Sequence, residues 1–166
     1  MITLQLATLD DTPTIYHLAK EIWYDHYLSI ITAEQIEYML DKFYSPKALQ
    51  KLMDEGQMIY LIKDETENSI GYLAVTENQA GHWFMNKFYI KTDVQGKGIG
   101  VNILKQWEDL AKPKELRLQV NRKNFKSINF YFKTGFAIKD VADFDIGNGY
   151  SMDDFIMVKG YLPQSR

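Results

Sequence analysis

The stretch Gln95-Gly96-Lys97-Gly98-Ile99-Gly100 constrains this chain more than any other. Its three glycines leave backbone N–H groups uncovered, and an amphipathic run begins directly after them. A helix starting there aims its positive end at whatever binds, which is how a protein grips a pyrophosphate. The stretch follows the long apolar run His82–Ile90, so the local unit reads as strand, glycine loop, helix.

Spacing excludes two common versions of such a loop. A Walker A loop needs Lys and then Ser or Thr, whereas Val101 and Asn102 follow Gly100. A Rossmann fingerprint needs glycine at the sixth position, which is Val101 counted from Gly96 and Ile103 counted from Gly98. The Rossmann loop also follows the first strand of its domain, and this one comes past the midpoint of the chain.

With 166 residues, the chain is long enough for one domain with a full core, expected over 1–166. It has no cysteine, which removes disulfides, thiolate nucleophiles and cysteine-ligated metals. The three histidines, His17, His26 and His82, lack metal-ligand spacing, so no metal is expected. No segment is apolar enough to span a membrane and the start lacks a signal-peptide pattern, giving a cytoplasmic expectation. The net charge of −3 hides an asymmetry: residues 1–90 sum to −7, 91–139 to +7 and 140–166 to −3. The positive block holds the glycine loop and suits an anionic ligand; a solvated basic face is the alternative.

Patterning gives the order of elements. Ile2–Ala7 reads as a strand, and Asp11-Thr12-Pro13 opens a helix carrying Ile15, Leu18, Ile22 and Trp23 at helical spacing. Thr32-x-x-Gln35 is a capping-box pattern for a second helix, and Ser45-Pro46 starts a third that Gly56 ends. Met58–Ile62 and Ile70–Val75 read as a hairpin, followed by the strand His82–Ile90. Strict alternation on that strand places His82, Phe84, Asn86, Phe88 and Ile90 on one face and Trp83, Met85, Lys87 and Tyr89 on the other. After the loop helix come a strand around Leu116–Val120, a helix over Asn124–Thr134, and strands Phe136–Val141 and Phe155–Val158 around a loop at Asp145–Met152. The sum is a mixed α/β fold.

Gln-x-x-Gly-x-Gly after a strand and opening a helix resembles the acetyl-CoA loop of the GCN5-related N-acetyltransferase (GNAT) family, in which Arg is commoner at the first position. A second family block follows: Leu118-x-x-Asn121-x-x-Asn124 and then Phe130-Tyr131-x-Lys133-x-Gly135-Phe136. The resemblance covers the whole chain. It implies a central, mostly antiparallel twisted sheet splayed between its fourth and fifth strands, with helices on both faces. Acetyl-CoA would enter the splay as co-substrate, its pantetheine arm pairing with an exposed strand edge. The implied contacts are Phe88, Tyr89 and Ile90, the loop and first turn Gln95, Gly96, Lys97, Gly98, Ile99, Gly100 and Val101, and then Asn124, Phe130, Tyr131 and Lys133.

Acetyl transfer needs a neutral amine, stabilisation of the thioester oxygen and a proton for the departing thiolate. Tyr131 matches the family tyrosine that protonates the sulfur, and a phenol with a pKa of about 10 keeps its proton at neutral pH. Its competing role is packing in the cluster Phe130-Tyr131-Phe132. Ile90 would offer its backbone N–H to the carbonyl oxygen. Asn124 is both a pantetheine contact by resemblance and a natural helix N-cap. Lys97 would add charge at the pyrophosphate or stand solvated. Many family members carry a strand-four glutamate as base, which this strand lacks. A water held by Asn86, Glu77 or His82 would serve, and no base is assigned.

The acceptor side is expected from the first two helices and the late hairpin. There Trp23, Tyr24, Tyr27 and Tyr150 accompany Glu21, Asp25, Asp143, Asp145, Asp153 and Asp154. Aromatic rings with carboxylates suit a cationic amine; the alternative is a core tryptophan and solvated acids. The pattern around Tyr150–Lys159, with Ile22-Trp23, Tyr27 and Gln35, resembles bacterial spermidine/spermine acetyltransferases and ranks polyamines and diamines first. Two other readings stay open: acetylation of a protein or peptide, and a CoA-binding module without catalysis. Neither nucleic acid nor membrane is expected as a partner, and the chain would be a monomer or homodimer.

Overall fold

The computed structural model describes residues 1–163. In chain order the elements are β1 (Thr3–Leu6), α1 (Thr12–Tyr27), α2 (Ala33–Tyr44), α3 (Pro46–Asp54), β2 (Met58–Lys63), β3 (Ser69–Gln79), β4 (His82–Ile90), α4 (Ile99–Ala111), β5 (Glu115–Asn121), α5 (Phe125–Lys133), β6 (Ala137–Gly147) and β7 (Tyr150–Gly160). The strands form one sheet in the order β1-β2-β3-β4-β5-β7-β6. Every neighbouring pair is antiparallel except β4 and β5, which run parallel.

Helix boundaries follow local chemistry. The Thr32 hydroxyl accepts the Gln35 N–H at 3.2 Å and the Ser45 hydroxyl accepts the Ala48 N–H at 3.3 Å, satisfying donors that have no partner within the helix. Gln35 does not complete the reciprocal capping box; its amide nitrogen lies 3.9 Å from Met39 Sδ.

The sheet separates two cores, as period-two strands require. Ile59, Leu61, Tyr72 and Ala74 pack beneath α1–α3 with Ile15, Ile22, Ile36 and Leu40. Their alternates Tyr60, Leu73 and Val75 pack beneath α4 and α5 with Leu104, Trp107 and Ile128. The mixed α/β architecture with helices on both faces is therefore as expected from the sequence. Among the described residues no helix is long and apolar enough to cross a membrane.

Two expectations need correction. Alternation does not run through β4: Ala74 pairs with Lys87 but its neighbour Val75 pairs with Met85, leaving Asn86 as a bulge. Trp83 and Met85 thus pack with Phe88 in the α4/α5 core, while Tyr89 packs in the α1–α3 core. The second correction concerns the chain's end. Rather than two short strands around a loop at 145–152, β6 and β7 form one long hairpin closed by Asn148-Gly149. Both turn residues have positive φ, 54° and 77°, the conformation an Asn-Gly hairpin turn favours. Most of β6 is solvent-exposed, so backbone pairing to β7 holds it and hydrophobic alternation does not reveal it.

Candidate active site

The parallel pair β4·β5 lasts only from His82↔Glu115 to Met85↔Leu118. Both strands continue, but β5 stays paired along its other edge with β7 as far as Asn121↔Asp154. The Asn86 bulge falls where the β4·β5 pairing stops, and bulges re-aim strands. From there β4 offers an unpaired edge. The Lys91 N–H donates to the Ile70 carbonyl at 2.8 Å on the β3 side. By alternation, the backbone N–H and C=O of Phe88 and Ile90 face the opening.

Two cavities flank this opening. The first is walled by the C-terminal half of β4, the glycine loop, the start of α4 and one face of α5, including Phe88, Ile90, Gln95, Gly98, Ile99 and Phe130. Gly96, Lys97 and Gly98 have φ of 92°, 54° and 71° in succession, so the loop is left-handed before α4 starts at Ile99. Only glycine adopts such angles freely. Among the described residues the backbone N–H groups of Gly96, Gly98, Gly100 and Val101 find no carbonyl acceptor outside the helix. That is a dipole-positive set of donors suited to an anion. A Cβ at Gly100 would stand 3.0 Å from Phe130 Cε2, so α4 and the Phe130 ring approach closely there.

Gln95 ties this cavity together. Its amide nitrogen lies 2.8 Å from both the Ile90 carbonyl and His26 Nε2, and its oxygen accepts from Lys126. Burial lowers the pKa of His26, and the Lys126 charge pushes the same way, leaving the imidazole neutral to accept from Gln95. Tyr89, Gly96, Gly100 and Val101 also border this cavity, whereas Lys97 and Lys133 are exposed and do not. Asn124 caps α5, accepting the Ser127 N–H at 3.3 Å, and borders the second cavity instead.

The second cavity lies between α1, α2, the end of β4, the ends of β5 and β7, and the start of α5. Its aromatic wall is cross-linked. Tyr27 Oη and Tyr89 Oη are 3.0 Å apart, Trp23 Nε1 donates to Tyr72 Oη at 3.2 Å, and Tyr72 Oη donates to Tyr44 Oη at 2.9 Å. Burial pushes these phenols up in pKa, so they stay neutral. Lys87 borders the cavity but its ammonium turns away, donating to Gln57 Oε1 at 2.9 Å and lying 5.4 Å from the Tyr44 ring centre. Burial lowers Lys87 to about 8.

The other residues expected around the acceptor divide between this cavity and positions outside it. Glu77 accepts the Gly81 N–H at 2.8 Å and buttresses the β3–β4 turn, outside both cavities. Tyr24 donates to Glu37 on the surface of α1 and α2. Tyr150 packs against Tyr38, 5.4 Å between ring centres, and its neighbours Ser151 and Met152 line the cavity instead. Asn86 reaches the cavity, with its amide nitrogen donating to Thr76 Oγ1 at 2.8 Å. His82 Nδ1 sits 3.3 Å from the Ala80 carbonyl at the turn, outside both cavities.

One acid among the described residues borders the second cavity: Asp154 on β7. It is 2% exposed, and its Oδ1 has no hydrogen-bond partner among the described residues. In the sequence Asp154 stands among the acids of the late hairpin, next to exposed Asp153, with no local feature that sets it apart. The hairpin's true register does, since Asp154 lies opposite Asn121 at the end of β5.

The two cavities share Phe88, Tyr89, Ser127 and Tyr131. Tyr131 is 8% exposed and its hydroxyl makes no hydrogen bond with the described residues. Burial, then the neighbouring Tyr27, push its pKa upward. A phenol so placed keeps its proton and can donate one into either cavity.

Residues 27–146 match the acetyltransferase (GNAT) domain family model. The chain is 28% identical to a spermidine N(1)-acetyltransferase of Thermoplasma acidophilum, covering 96% of this chain and 98% of that one. The PaiA N-acetyltransferase of Thermoplasma acidophilum, crystallised with coenzyme A, superposes with a TM-score of 0.80 at 27% identity, over 97% of this chain and 99% of that one. A spermidine N-acetyltransferase of Vibrio cholerae, solved with CoA and spermine, shares the fold with a TM-score of 0.68 at 19% identity, over 95% and 94% of the two chains.

Proposed function

The chain belongs to the acetyltransferase (GNAT) domain family and is an acetyl-CoA-dependent N-acetyltransferase, and we propose that it acetylates a primary amine of a small polyamine or diamine by direct attack, with Tyr131 as general acid. The observation that carries this reading is the meeting of the glycine-loop cavity and the aromatic cavity at Tyr131. The first presents amide donors and Lys126 to the pyrophosphate. Its exposed β4 edge pairs with the pantetheine amides through Phe88 and Ile90, in the manner of an added strand. The second presents aromatic faces and one carboxylate to a cation. The polyamine choice is supported by the name of the full-length Thermoplasma relative and by the acid inside the cavity.

Each residue then has a defined task. The Ile90 N–H donates to the thioester oxygen as charge builds on it. The Tyr131 hydroxyl donates its proton to the sulfur as the carbon–sulfur bond breaks. The phenol pairs Tyr27–Tyr89 and Tyr72–Tyr44 hold the wall rigid, so the amine is positioned without reorganisation.

The test is thiol release from acetyl-CoA across a panel of polyamines, diamines, monoamines and lysine peptides. Turnover concentrated on polyamines and diamines is expected. Turnover on peptides with none on free amines would replace this reading with protein acetylation.

A further inference from the structure

We propose that Asp154 is the catalytic base of the reaction: its carboxylate receives the acceptor's ammonium at the inner end of the aromatic cavity and takes one proton from it before attack. This rests on the acetyl-transfer reading above and assigns the one role that reading leaves vacant.

A buried carboxylate oxygen without a donor is costly, and native structures rarely keep one without a use. Asp154 Oδ1 is such an atom, on a residue 2% exposed. The nearby cation does not serve it: Arg122 lies 2.7 Å from Asp143 and 3.9 Å from Asp153, and both are more exposed. Lys87, the cation that lines the cavity among the described residues, is tied to Gln57. An incoming ammonium supplies the missing donor.

Asp154 and Tyr131 both line the aromatic cavity, and Tyr131 also lines the glycine-loop cavity, so the carboxylate and the proposed acid open onto the same space. Of the other candidates from the sequence, Glu77 and His82 sit at the β3–β4 turn outside the cavity, and the Asn86 amide donates to Thr76.

The charged and titratable groups around Asp154 are Tyr27 on α1, Arg122 after β5, Asp143 on β6 and Asp153 beside it; Tyr131 and Lys87 line the same cavity, with the Lys87 ammonium held by Gln57. Burial first, then the charge of Asp153, raise the Asp154 pKa to about 6, against the opposing pull of Arg122. A carboxylate raised to about 6 is a stronger base than an ordinary aspartate, so it takes the ammonium proton more readily as attack begins.

The ammonium nitrogen gives one proton to Asp154 and becomes a neutral amine. Its lone pair forms the C–N bond to the carbonyl carbon, and the C–S bond breaks with its electron pair going to sulfur. Tyr131 gives the sulfur a proton. The second proton leaving nitrogen restores the phenol, and Asp154 releases its proton to water. One proton is freed per turnover.

The test measures kcat/KM for a diamine from about pH 5 to about pH 10 on wild type and Asp154→Asn, with acetyl-CoA affinity by calorimetry. The expected result is a loss of about 100-fold near neutrality, the size of a missing general base. The acid limb of the wild-type profile disappears, and the rate climbs instead with the fraction of free amine, while acetyl-CoA affinity is unchanged. Should Asp154→Asn not fold, Asp154→Ala serves, with a rate restored in part by added formate. A variant that keeps the wild-type rate and acid limb overturns the assignment. So does one that raises only the KM for the diamine, since the carboxylate then holds a cation without taking its proton. A wild type that turns over no amine contradicts the acetyl-transfer reading itself, whereas an active wild type matched by its variant removes Asp154 alone.

Discussion

In the proposed mechanism Tyr131 is the acid and Asp154 the base, and at the residue scale each role gives a measurement of its own. Tyr131→Phe removes only a hydroxyl that bonds to no described residue, so the fold and acetyl-CoA affinity should hold. Its kcat should fall about 100-fold, the range of a lost general acid. An unchanged kcat would leave Tyr131 as packing against Phe130 and Phe136. Asp154 predicts a pH-dependent stability. Its folded pKa is about 6 against an ordinary 3.8, so its contribution is fully present below the lower value and is lost as pH rises through the upper one. A shift of this size is worth about 3 kcal/mol at most. Thermal melts should show Asp154→Asn more stable than wild type above pH 6, with the gap closing on acidification. A gap independent of pH would mean the carboxylate is solvated.

These two residues also mark how far the sequence could be read. Tyr131 stands at a fixed distance from the glycine loop within one strand–helix–strand–helix unit, and the pattern around it is local. Asp154 is one of five acids after residue 139, and nothing in their order distinguishes it. Its isolation is created by β5, whose end at Asn121 lies beside it in the sheet. Glu77 illustrates the converse, a plausible carboxylate whose partner is the N–H of Gly81 at a nearby turn.

Among the elements, β4 decides the geometry. The Asn86 bulge resets which side chains face which core, and β5 pairing stops at the same place, leaving an edge for a ligand. Alternation read from the sequence assumes an unbroken pleat, so a bulge is invisible to it. The final hairpin reads in the sequence as two short strands around a loop at Asp145–Met152, because the acids flanking the Asn148-Gly149 turn mask strand character. The contact between α4 and α5 gives a prediction of its own. Gly100→Val would drive a side chain into the Phe130 ring, 3.0 Å from where its Cβ begins, and press that ring toward the slot. The Kd for acetyl-CoA should rise about tenfold or more, equivalent to about 1.4 kcal/mol. Unchanged binding would show that Phe130 yields into free space.

Across the whole molecule, the charge split acquires a geometric meaning. The central positive block contributes Lys126 and the loop to one cavity, and the acidic end contributes Asp154 to the other. An anionic donor and a cationic acceptor would thus approach from opposite sides of the sheet's splay and meet at Tyr131. The crystal structure of the protein with CoA and a diamine bound tests this most directly. The account predicts the CoA sulfur within hydrogen-bond reach of Tyr131 Oη, and a diamine nitrogen between that sulfur and the Asp154 carboxylate. A sulfur distant from Tyr131, or a diamine bound away from Asp154, would contradict it.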